Sequence, residues 1–304
     1  MLLLIVIALL PKNAYHDLNT GGKPLALGYA VTGQTSHPTS IFYNPASLSV
    51  VQQGLLVTHY EGVGFDSLGR IKGLSLILPE LCLSYLAMTS VRRYEHAGVG
   101  SSESWRDERY KVDVYLITVT SRTANAALTE KEPFLIGLNL KYLRGNYTDI
   151  QWSYTDSLFS KPDYIITDGD GYGFDAGFLI RAQYFQVGVM LKDIYSRMKW
   201  HELATGQTEK IDFIPRFGGS LNLEQTSVLF DVQKTGNDLT FHFGAEVKWK
   251  IGEIALMPRG GAILQQGEDT RYTAGAGISF RGLFVDLAFD INSKTNALTV
   301  GVGM

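Results

Sequence analysis

Strict alternation of apolar and polar residues runs through most of this chain and limits what it can fold into. In the clearest stretch, Leu239, Phe241 and Phe243 alternate with Thr240 and His242. A period of two residues indicates a β-strand, because successive side chains point to opposite faces of a sheet. The same pattern recurs in nearly every segment from residue 54 to the C-terminus, with polar or charged residues on the second face. Such strands suit a closed sheet with lipid outside and water inside.

Composition fits a single barrel domain and excludes several functional classes. The 304 residues contain no Pro-rich or Ser-rich linker, so one domain is predicted. A net charge of -3 provides no basic surface, and no nucleic-acid partner is expected. The 32 glycines and 12% aromatic residues are unusual for a soluble enzyme but typical of closed alternating sheets. The single cysteine, Cys82, excludes an intrachain disulfide and a cysteine-based zinc site.

Turn signals divide the alternating region into fourteen candidate strands. Short links alternate with longer ones, apart from the link at 121–132, which is long where a short one is expected. This order and the even strand number predict an all-β fold, a transmembrane antiparallel up-and-down barrel with short periplasmic turns and longer outer loops. The candidate strands are 54–62, 69–78, 81–89, 108–120, 133–144, 172–182, 184–192, 213–223, 226–234, 239–250, 252–264, 270–280, 282–291 and 296–304.

The parity of each strand assigns its charged residues to one face. An Arg or Lys on the lipid face at the bilayer midplane costs about 2 to 4 kcal/mol, so the charges are expected inside. A soluble β-sandwich or smaller barrel would also explain the alternation, but not a polar second face with so many closely paired hairpins. The residues predicted to face the lumen are Asp113, Lys141, Asp175, Arg181, Arg216, Asp231, Glu246, Asp286 and Asp290.

The region before the first strand carries a recognisable motif. Residues 27–30 (Leu-Gly-Tyr-Ala) are followed at 39–48 by a run that contains Asn44, Pro45 and Ala46. These segments resemble the N-terminal signature of the PorV/PorQ family of outer-membrane proteins, which is related to the FadL-type transporters. Further segments that look like this family lie at 173–180, 187–193, 243–246 and 273–278.

The resemblance implies a fourteen-stranded, FadL-like barrel in the bacterial outer membrane. It also implies that the segment containing Asn44, Pro45 and Ala46 folds into the lumen as a plug. Residues 1–14 are predicted to be a signal peptide, although no Lys or Arg precedes their apolar run. Residues 15–53 are then an N-terminal periplasmic or plug segment, and residues 54–304 form the outer-membrane barrel.

The sequence gives no sign of catalysis. The six histidines are scattered without metal-ligand spacing, and no Gly-x-Ser-x-Gly motif occurs. We therefore expect a non-enzymatic protein without a metal or other cofactor. Two predicted outer loops, 145–171 and 193–212, are rich in aromatic residues, which makes them candidates either for partner contact or for covering the barrel mouth. The residues concerned are Trp152, Tyr154, Phe159 and Trp200.

Two functions remain open. The resemblance to PorV and PorQ implies type IX protein secretion or surface attachment of cargo, with secretion-system or cargo proteins as partners besides outer-membrane lipid. The FadL-like alternative is transport of a hydrophobic small molecule past the plug and out through a lateral gap. Transport predicts an apolar pocket between plug and wall, whereas secretion predicts a polar lumen. The many charges assigned to the lumen favour secretion.

Overall fold

A computed structural model describes residues 20–35, 37–63, 67–97, 103–121, 134–155, 158–159, 163–201, 208–293 and 295–303. The predicted signal peptide, residues 1–14, lies outside these ranges. Fourteen long strands lie within them: β1 Gly54–Val63, β2 Ser67–Leu78, β3 Leu81–Ala97, β4 Glu103–Thr120, β5 Phe134–Thr155, β6 Asp163–Arg181, β7 Phe185–Trp200, β8 Ile214–Leu223, β9 Thr226–Thr235, β10 Asp238–Val247, β11 Ile254–Gln265, β12 Arg271–Phe280, β13 Leu283–Asp290 and β14 Asn296–Gly303. Three shorter strands are Leu158–Phe159, Thr208–Lys210 and Trp249–Ile251.

The fourteen strands close into a barrel. Each long strand pairs antiparallel with its neighbours in the chain. The first and last strands also pair, from Gly54 opposite Gly303 to Glu61 opposite Asn296. With the first and last strands paired, the sheet of described strands has no free outer edge, which is a requirement for a sheet in lipid. The prediction of a fourteen-stranded antiparallel up-and-down barrel is confirmed.

The two ends of the barrel differ. Tight turns at 79–80, 224–225, 252–253 and 281–282 lie at one end, called here the short-turn end. At the opposite, long-strand end, β3 to β7 continue well past the other strands. Strand β5 has 22 residues, about twice the 9–11 that cross a bilayer. Much of the sequence predicted as outer loops is therefore strand that extends beyond the membrane.

The outer face of the barrel carries exposed large apolar side chains. Phe217 on β8, Phe243 on β10 and Leu287 on β13 are each between 44% and 48% exposed. An outward apolar band of this kind matches the hydrocarbon region of a bilayer. Within the described ranges, no helix is both long and apolar enough to cross a bilayer.

The N-terminal segment, residues 20–53, folds inside the barrel as short helical turns. Helix α1 spans Gly22–Ala26, and two 3-10 helices span Pro38–Phe42 and Pro45–Val50. Asn44 caps the second 3-10 helix by accepting a hydrogen bond from the Ala46 amide at 3.1 Å. Because α1 packs against the inner faces of β12 and β13, the segment is part of the barrel core.

Candidate functional site in the barrel interior

The N-terminal segment fills the interior and contacts the wall through its backbone. Nearly all side chains from Thr20 to Leu48 are buried. The close approach depends on glycines, because a Cβ atom at these positions would overlap or crowd the segment. Seven such glycines lie on seven different strands: Gly137, Gly177, Gly188, Gly218, Gly244, Gly261 and Gly275.

The Asn44-Pro45-Ala46 motif joins the segment to the wall. The Asn44 side-chain amide donates to Thr32 O at 2.9 Å and to Phe178 O on β6 at 3.0 Å. The ring of Pro45 packs where Gly177 leaves space. One asparagine thus caps a helix, bridges two parts of the segment and bonds to a barrel strand. The structure places all three residues of the predicted plug motif inside the barrel.

Asp231 on β9 anchors the middle of the segment. Its Oδ2 atom accepts hydrogen bonds from the Val31 and Thr32 amides, both at 3.0 Å, and from Arg216 Nε at 2.9 Å. The Arg216 guanidinium also donates to Tyr29 O. Since Asp231 is 0% exposed and Arg216 is 8% exposed, both charges depend on these partners rather than on water.

A second ionic cluster connects α1 to three strands. Lys23 Nζ lies 3.1 Å from Glu246 Oε2 on β10, and Arg259 on β11 binds both Glu246 and Asp286. Asp286 Oδ2 on β13 lies 2.8 Å from His37 Nε2. This chain of polar contacts therefore begins at Lys23 and ends at His37, both on the N-terminal segment, and passes through charged residues of the wall in between. A cavity of about 530 Å³ at the short-turn end is lined by Lys23, His37, Glu246 and Asp286.

His37 is held in its neutral form by burial. Its Nδ1 atom accepts a hydrogen bond from the Thr39 amide at 3.3 Å, so that nitrogen carries no proton. Burial lowers the pKa of His37 below its ordinary value of 6.5, and the positive charges of Lys23 and Arg259 act in the same direction. The carboxylate of Asp286 opposes the shift but does not reverse it.

We expect the N-terminal segment to be held more weakly as the pH falls from 7 towards 5. A released segment binds a proton at the ordinary pKa of histidine, whereas the docked segment resists it, so docking is strongest above about pH 6.5. A spin label at Gln53→Cys in a Cys82→Ser background would report this as increased mobility at acid pH. The variant His37→Gln removes the titrating group and should give a flat response. The same pH response in both proteins would contradict the prediction.

The interior wall is divided into a charged half and an apolar half. The charged residues described above lie on β8 to β13. The opposite half, formed by β1 to β7, presents mainly large apolar side chains, apart from a buried ionic cluster of Lys141, Asp175 and Asp193 on β5 to β7. The packing of the apolar side chains against one another forms a continuous buried cluster next to the N-terminal segment. It includes Leu56, Ile71, Leu86, Tyr110, Val112, Val114, Leu143, Tyr147, Met198 and Trp200.

Trp200 belongs to this apolar half rather than to an outer loop. It is the last residue of β7, is 0% exposed, and its indole covers Gly145 and Gly169. Its ring meets that of Tyr110 edge-on at 5.6 Å, and its Nε1 donates to Glu209 at 3.2 Å. The expectation that Trp200 lies in a partner-contact loop is wrong, because the alternating pattern of β7 continues past the predicted strand end.

The other three aromatic loop candidates also lie on strands. Trp152 and Tyr154 are in β5, where they pair with Trp105 and Glu103 of β4. Phe159 is in the short strand Leu158–Phe159, which pairs with the end of β5. The surroundings of these three side chains lie outside what the structure describes. The prediction of a long outer loop over 145–171 is corrected, since β5 and β6 occupy most of it.

A bulge interrupts the wall between β6 and β7. Phe174 pairs with Tyr195 but Ala176 pairs with Leu191, so three residues of β7, 192–194, lie opposite Asp175. Asp193 within the bulge has a positive φ of 55°, a conformation that costs energy outside glycine. Bulges bend a strand and locally disrupt its pairing.

Lys141 on β5 stabilises the bulge from inside. Its ammonium group binds Asp175 Oδ1 at 2.5 Å and also binds Asp193. Asp175 Oδ1 accepts in addition the Asp193 amide at 2.7 Å, and Ser196 Oγ donates to Asp193 at 2.6 Å. The three charged side chains are almost fully buried, so removing any one would leave the others without compensation.

The ladder between β7 and β8 ends at this bulge. The last pair of the ladder is Lys192 with Ile214, and pairing resumes only at Arg197 with Lys210. In between, the Ile211 amide donates to Ser196 O at 3.1 Å, and residues 211–213 are not strand. This interruption, called here the β7/β8 seam, has apolar side chains on both sides. Ile194, Tyr195 and Phe213 are exposed outside, and Met198 and Ile211 are buried inside.

Most residues predicted to face the lumen are placed there. Those buried inside the barrel are Lys141, Asp175, Arg216, Asp231, Glu246, Asp286 and Asp290. Asp290 accepts hydrogen bonds from Arg271 and from the backbone of the following turn, so its partners are local. Arg181 has the inward parity of β6 but is exposed, because it is the last residue of the strand at the short-turn rim.

Asp113 is on the outer face, and its assignment to the lumen is wrong. In β4 the buried residues are the even-numbered ones, such as Val112 and Val114, while Asp113 accepts a hydrogen bond from the exposed Tyr85 hydroxyl at 2.8 Å. The parity argument assumed that the apolar face meets lipid. In β4 it meets the apolar half of the interior instead, so the alternation has the opposite phase.

Several interior residues were missed by the sequence reasoning. Lys23 and His37 gave a usable signal, because they are the charged or titratable side chains in a segment otherwise rich in small residues. Arg259 shares the inward parity of its strand and could have been assigned. Asp193 follows a predicted strand end and becomes inward-facing only through the bulge. Among the described residues, no three His, Cys, Asp or Glu side chains lie close enough together to hold a metal ion.

Comparison with known proteins supports the barrel architecture. No protein-family model and no curated relative matches the sequence. Among solved structures, the Pseudomonas putida toluene transporter TodX is similar with a TM-score of 0.60 and 10% identity, covering 91% of this chain and 95% of that chain. The CymD monoaromatic hydrocarbon channel gives 0.57 at 11% identity, covering 93% and 96%. A FadL homologue of Pseudomonas aeruginosa gives 0.56 at 10% identity, covering 92% and 96%.

At such low identity these likenesses concern the fold. They support the barrel architecture that the sequence resemblance implies. Neither the assignment to PorV and PorQ nor a role in type IX secretion finds support among them.

Proposed function

We propose that this protein is a non-enzymatic channel that admits a hydrophobic small molecule across the outer membrane of a bacterium. The observation that carries the proposal is the apolar half of the interior, which reaches the β7/β8 seam. Similarity to the toluene transporter and the monoaromatic hydrocarbon channel supports it, although those activities belong to those proteins. Outer-membrane lipid and the hydrophobic ligand are the partners that this function requires.

Because the N-terminal segment blocks the barrel axis, the β7/β8 seam is the easier exit route for a ligand. A ligand that enters at the long-strand end would meet apolar side chains such as Val112 and Met198, and below them the docked segment. Moving along the barrel axis would then require breaking the buried bonds of Asp231 and Lys23. Leaving sideways through the seam requires that apolar side chains separate and that the backbone hydrogen bond from Ile211 to Ser196, the one seen there among the described residues, opens. The ionic cluster of Lys141, Asp175 and Asp193 joins β7 to β5 and β6, on the other side of β7, and can stay closed.

The secretion hypothesis loses its main argument. The charges assigned to the lumen favoured a polar bore, but those on β8 to β13 bind the N-terminal segment or one another. These charges therefore indicate how the N-terminal segment is held in place. They do not indicate which molecule passes through the barrel. No observation on the described residues favours a protein cargo over a small apolar ligand.

A reversible cross-link across the seam tests the proposal. Ser196→Cys with Ile211→Cys, in a Cys82→Ser background, places two thiols directly opposite each other, where Cα atoms in an antiparallel pair are about 4.5 to 5.5 Å apart and a disulfide can form. Uptake of toluene and of oleate into proteoliposomes should fall towards that of empty vesicles when the disulfide forms. It should return on reduction.

Two controls make the result specific. Glucose should not enter faster than into empty vesicles, because the apolar side chains that flank the seam offer it no hydrogen-bonding partners. A cross-link between Asp238→Cys and Thr235→Cys, which closes a turn already paired at the long-strand end, should leave uptake unchanged. Equal uptake of toluene and oleate with and without the protein would refute the channel, and unchanged uptake after cross-linking would refute only the lateral exit.

A further inference from the structure

The band of apolar side chains on the outside of the barrel ends closer to the short-turn rim on β1 to β4 than on β13. On β13, apolar side chains continue outward from Leu283 to Phe289, and Ile291 follows at 68% exposed. Eight residues of a tilted strand cover about 20 Å along the barrel axis. On β2 the outward side chains Leu76 and Leu74 are followed at once by the exposed Lys72. Lys72 is six residues from the end of β2 at Leu78, about 15 Å above the short-turn rim.

A row of tyrosines marks where the apolar band on β3 and β4 ends, on the side towards the long-strand end. Tyr85, Tyr115, Tyr142 and Tyr172 lie directly opposite one another on β3, β4, β5 and β6. All four are exposed, and neighbouring rings approach to 5.3 Å and 6.0 Å in the first two pairs. Tyrosine is enriched where hydrocarbon meets headgroups. The row therefore indicates that the lipid headgroups come down to this level beside β3 and β4.

The surface above this row carries two lysines without an acidic partner. Glu61 on β1 is already bound by Arg70 at 2.6 Å, and Asp113 by the Tyr85 hydroxyl at 2.8 Å. Lys72 on β2 and Lys111 on β4 are exposed, and within the described part of the chain neither forms an ion pair. Both face outward, two strands apart in neighbouring cross-strand rows, so their Cα atoms are within about 15 Å of each other.

These lysines need an anion at membrane depth. About 25 Å of apolar wall covers the hydrocarbon in a typical barrel, so Lys72 stands well below the level where water begins. A lysine at this depth is strongly disfavoured where it contacts acyl chains, but it is stabilised where it contacts a phosphate group. A lipid fits better than a free anion, because the apolar side chains Leu74 and Leu76 directly below Lys72 offer contact to acyl chains.

We propose that the outer wall of β1 to β4 binds a phosphorylated lipid of the leaflet at the long-strand end. Its phosphates contact Lys72 and Lys111, its acyl chains lie on the low apolar band, and the bilayer is thinner here than around the rest of the barrel. The proposal does not depend on what passes through the interior.

Native mass spectrometry in detergent with bisphosphorylated lipid A as the probe tests this site. The double variant Lys72→Gln, Lys111→Gln should bind the probe about 25-fold more weakly, since each basic residue beside an anionic lipid surface contributes roughly a factor of five. The same lipid with its phosphates removed should bind wild type and variant alike. A gel shift on heating would confirm that each variant is a folded barrel.

The matched control is Lys210→Gln with Lys234→Gln, which removes two exposed lysines at the same end of the barrel. It should bind the probe as wild type does. Equal weakening in both double variants would show that net charge, not this surface, attracts the lipid. Equal affinity of wild type for the phosphorylated and dephosphorylated lipids would overturn the proposal.

Discussion

Asp231→Ala is expected to release the middle of the N-terminal segment and open the bore. The substitution leaves the Arg216 guanidinium buried without its carboxylate and leaves the amides of Val31 and Thr32 without an acceptor. Breaking a buried ion pair by removing one partner costs about 3 to 5 kcal/mol. A cost of about 3 kcal/mol alone would raise the released fraction by roughly a hundredfold.

Ion conductance in planar bilayers measures this release. Wild type should conduct little, because the segment fills the space between the charged and apolar halves of the interior. Asp231→Ala should show frequent channel openings, as should a chain from which residues 20–53 are deleted. The control is Asp238→Ala, which removes an exposed carboxylate at the start of the neighbouring strand β10.

Asp231→Asn separates loss of docking from loss of folding. Its amide oxygen can still accept from the segment, but its charge no longer balances Arg216, so conductance should fall between wild type and the alanine variant. If Asp231→Ala ran as a folded barrel on gels and conducted no more than Asp238→Ala, the segment would not be held in the way the structure indicates.

The strands could be predicted from the sequence because each one is a local pattern. All fourteen were found, since alternation and turn residues are read within about ten residues of chain. The strand ends at the long-strand side were not found for β3 to β7. Above the membrane both faces of a strand can be polar, as at Asn146 and Asp168, and the alternation that marks a strand fades.

The interior could be predicted only in part because it depends on contacts between distant residues. Charge parity was sufficient for Arg216 and Asp231, where the outward face is apolar. It failed for Asp113, because β4 has an apolar face inside, and nothing in β4 itself reveals what lies across the barrel. The division of the interior into two halves became visible only when the closed wall brought β4 and β9 to opposite sides.

Gly261→Ala and Gly260→Ala offer the sharpest test of how the segment rests on the wall. The two glycines are neighbours on β11 but face opposite sides of the barrel. A Cβ atom at Gly261 would overlap the backbone of Leu27 and Gly28, whereas at Gly260 the nearest atom is Thr273 O at 3.9 Å. Backbone cannot rotate away as a flexible side chain can, so the segment must lift from the wall when Gly261 is replaced.

We expect Gly261→Ala to raise bilayer conductance and to increase cleavage of the segment by added protease, while Gly260→Ala behaves as wild type. Overpacking of a close contact costs about 1 to 3 kcal/mol, enough to raise the released fraction by roughly 5-fold to 150-fold. Because both variants make the same chemical change in the same strand, strand propensity cannot explain a difference of this size between them. If the two variants gave equal conductance and equal cleavage, the segment would not lie against β11, and the plug would have to be held by its ionic contacts alone.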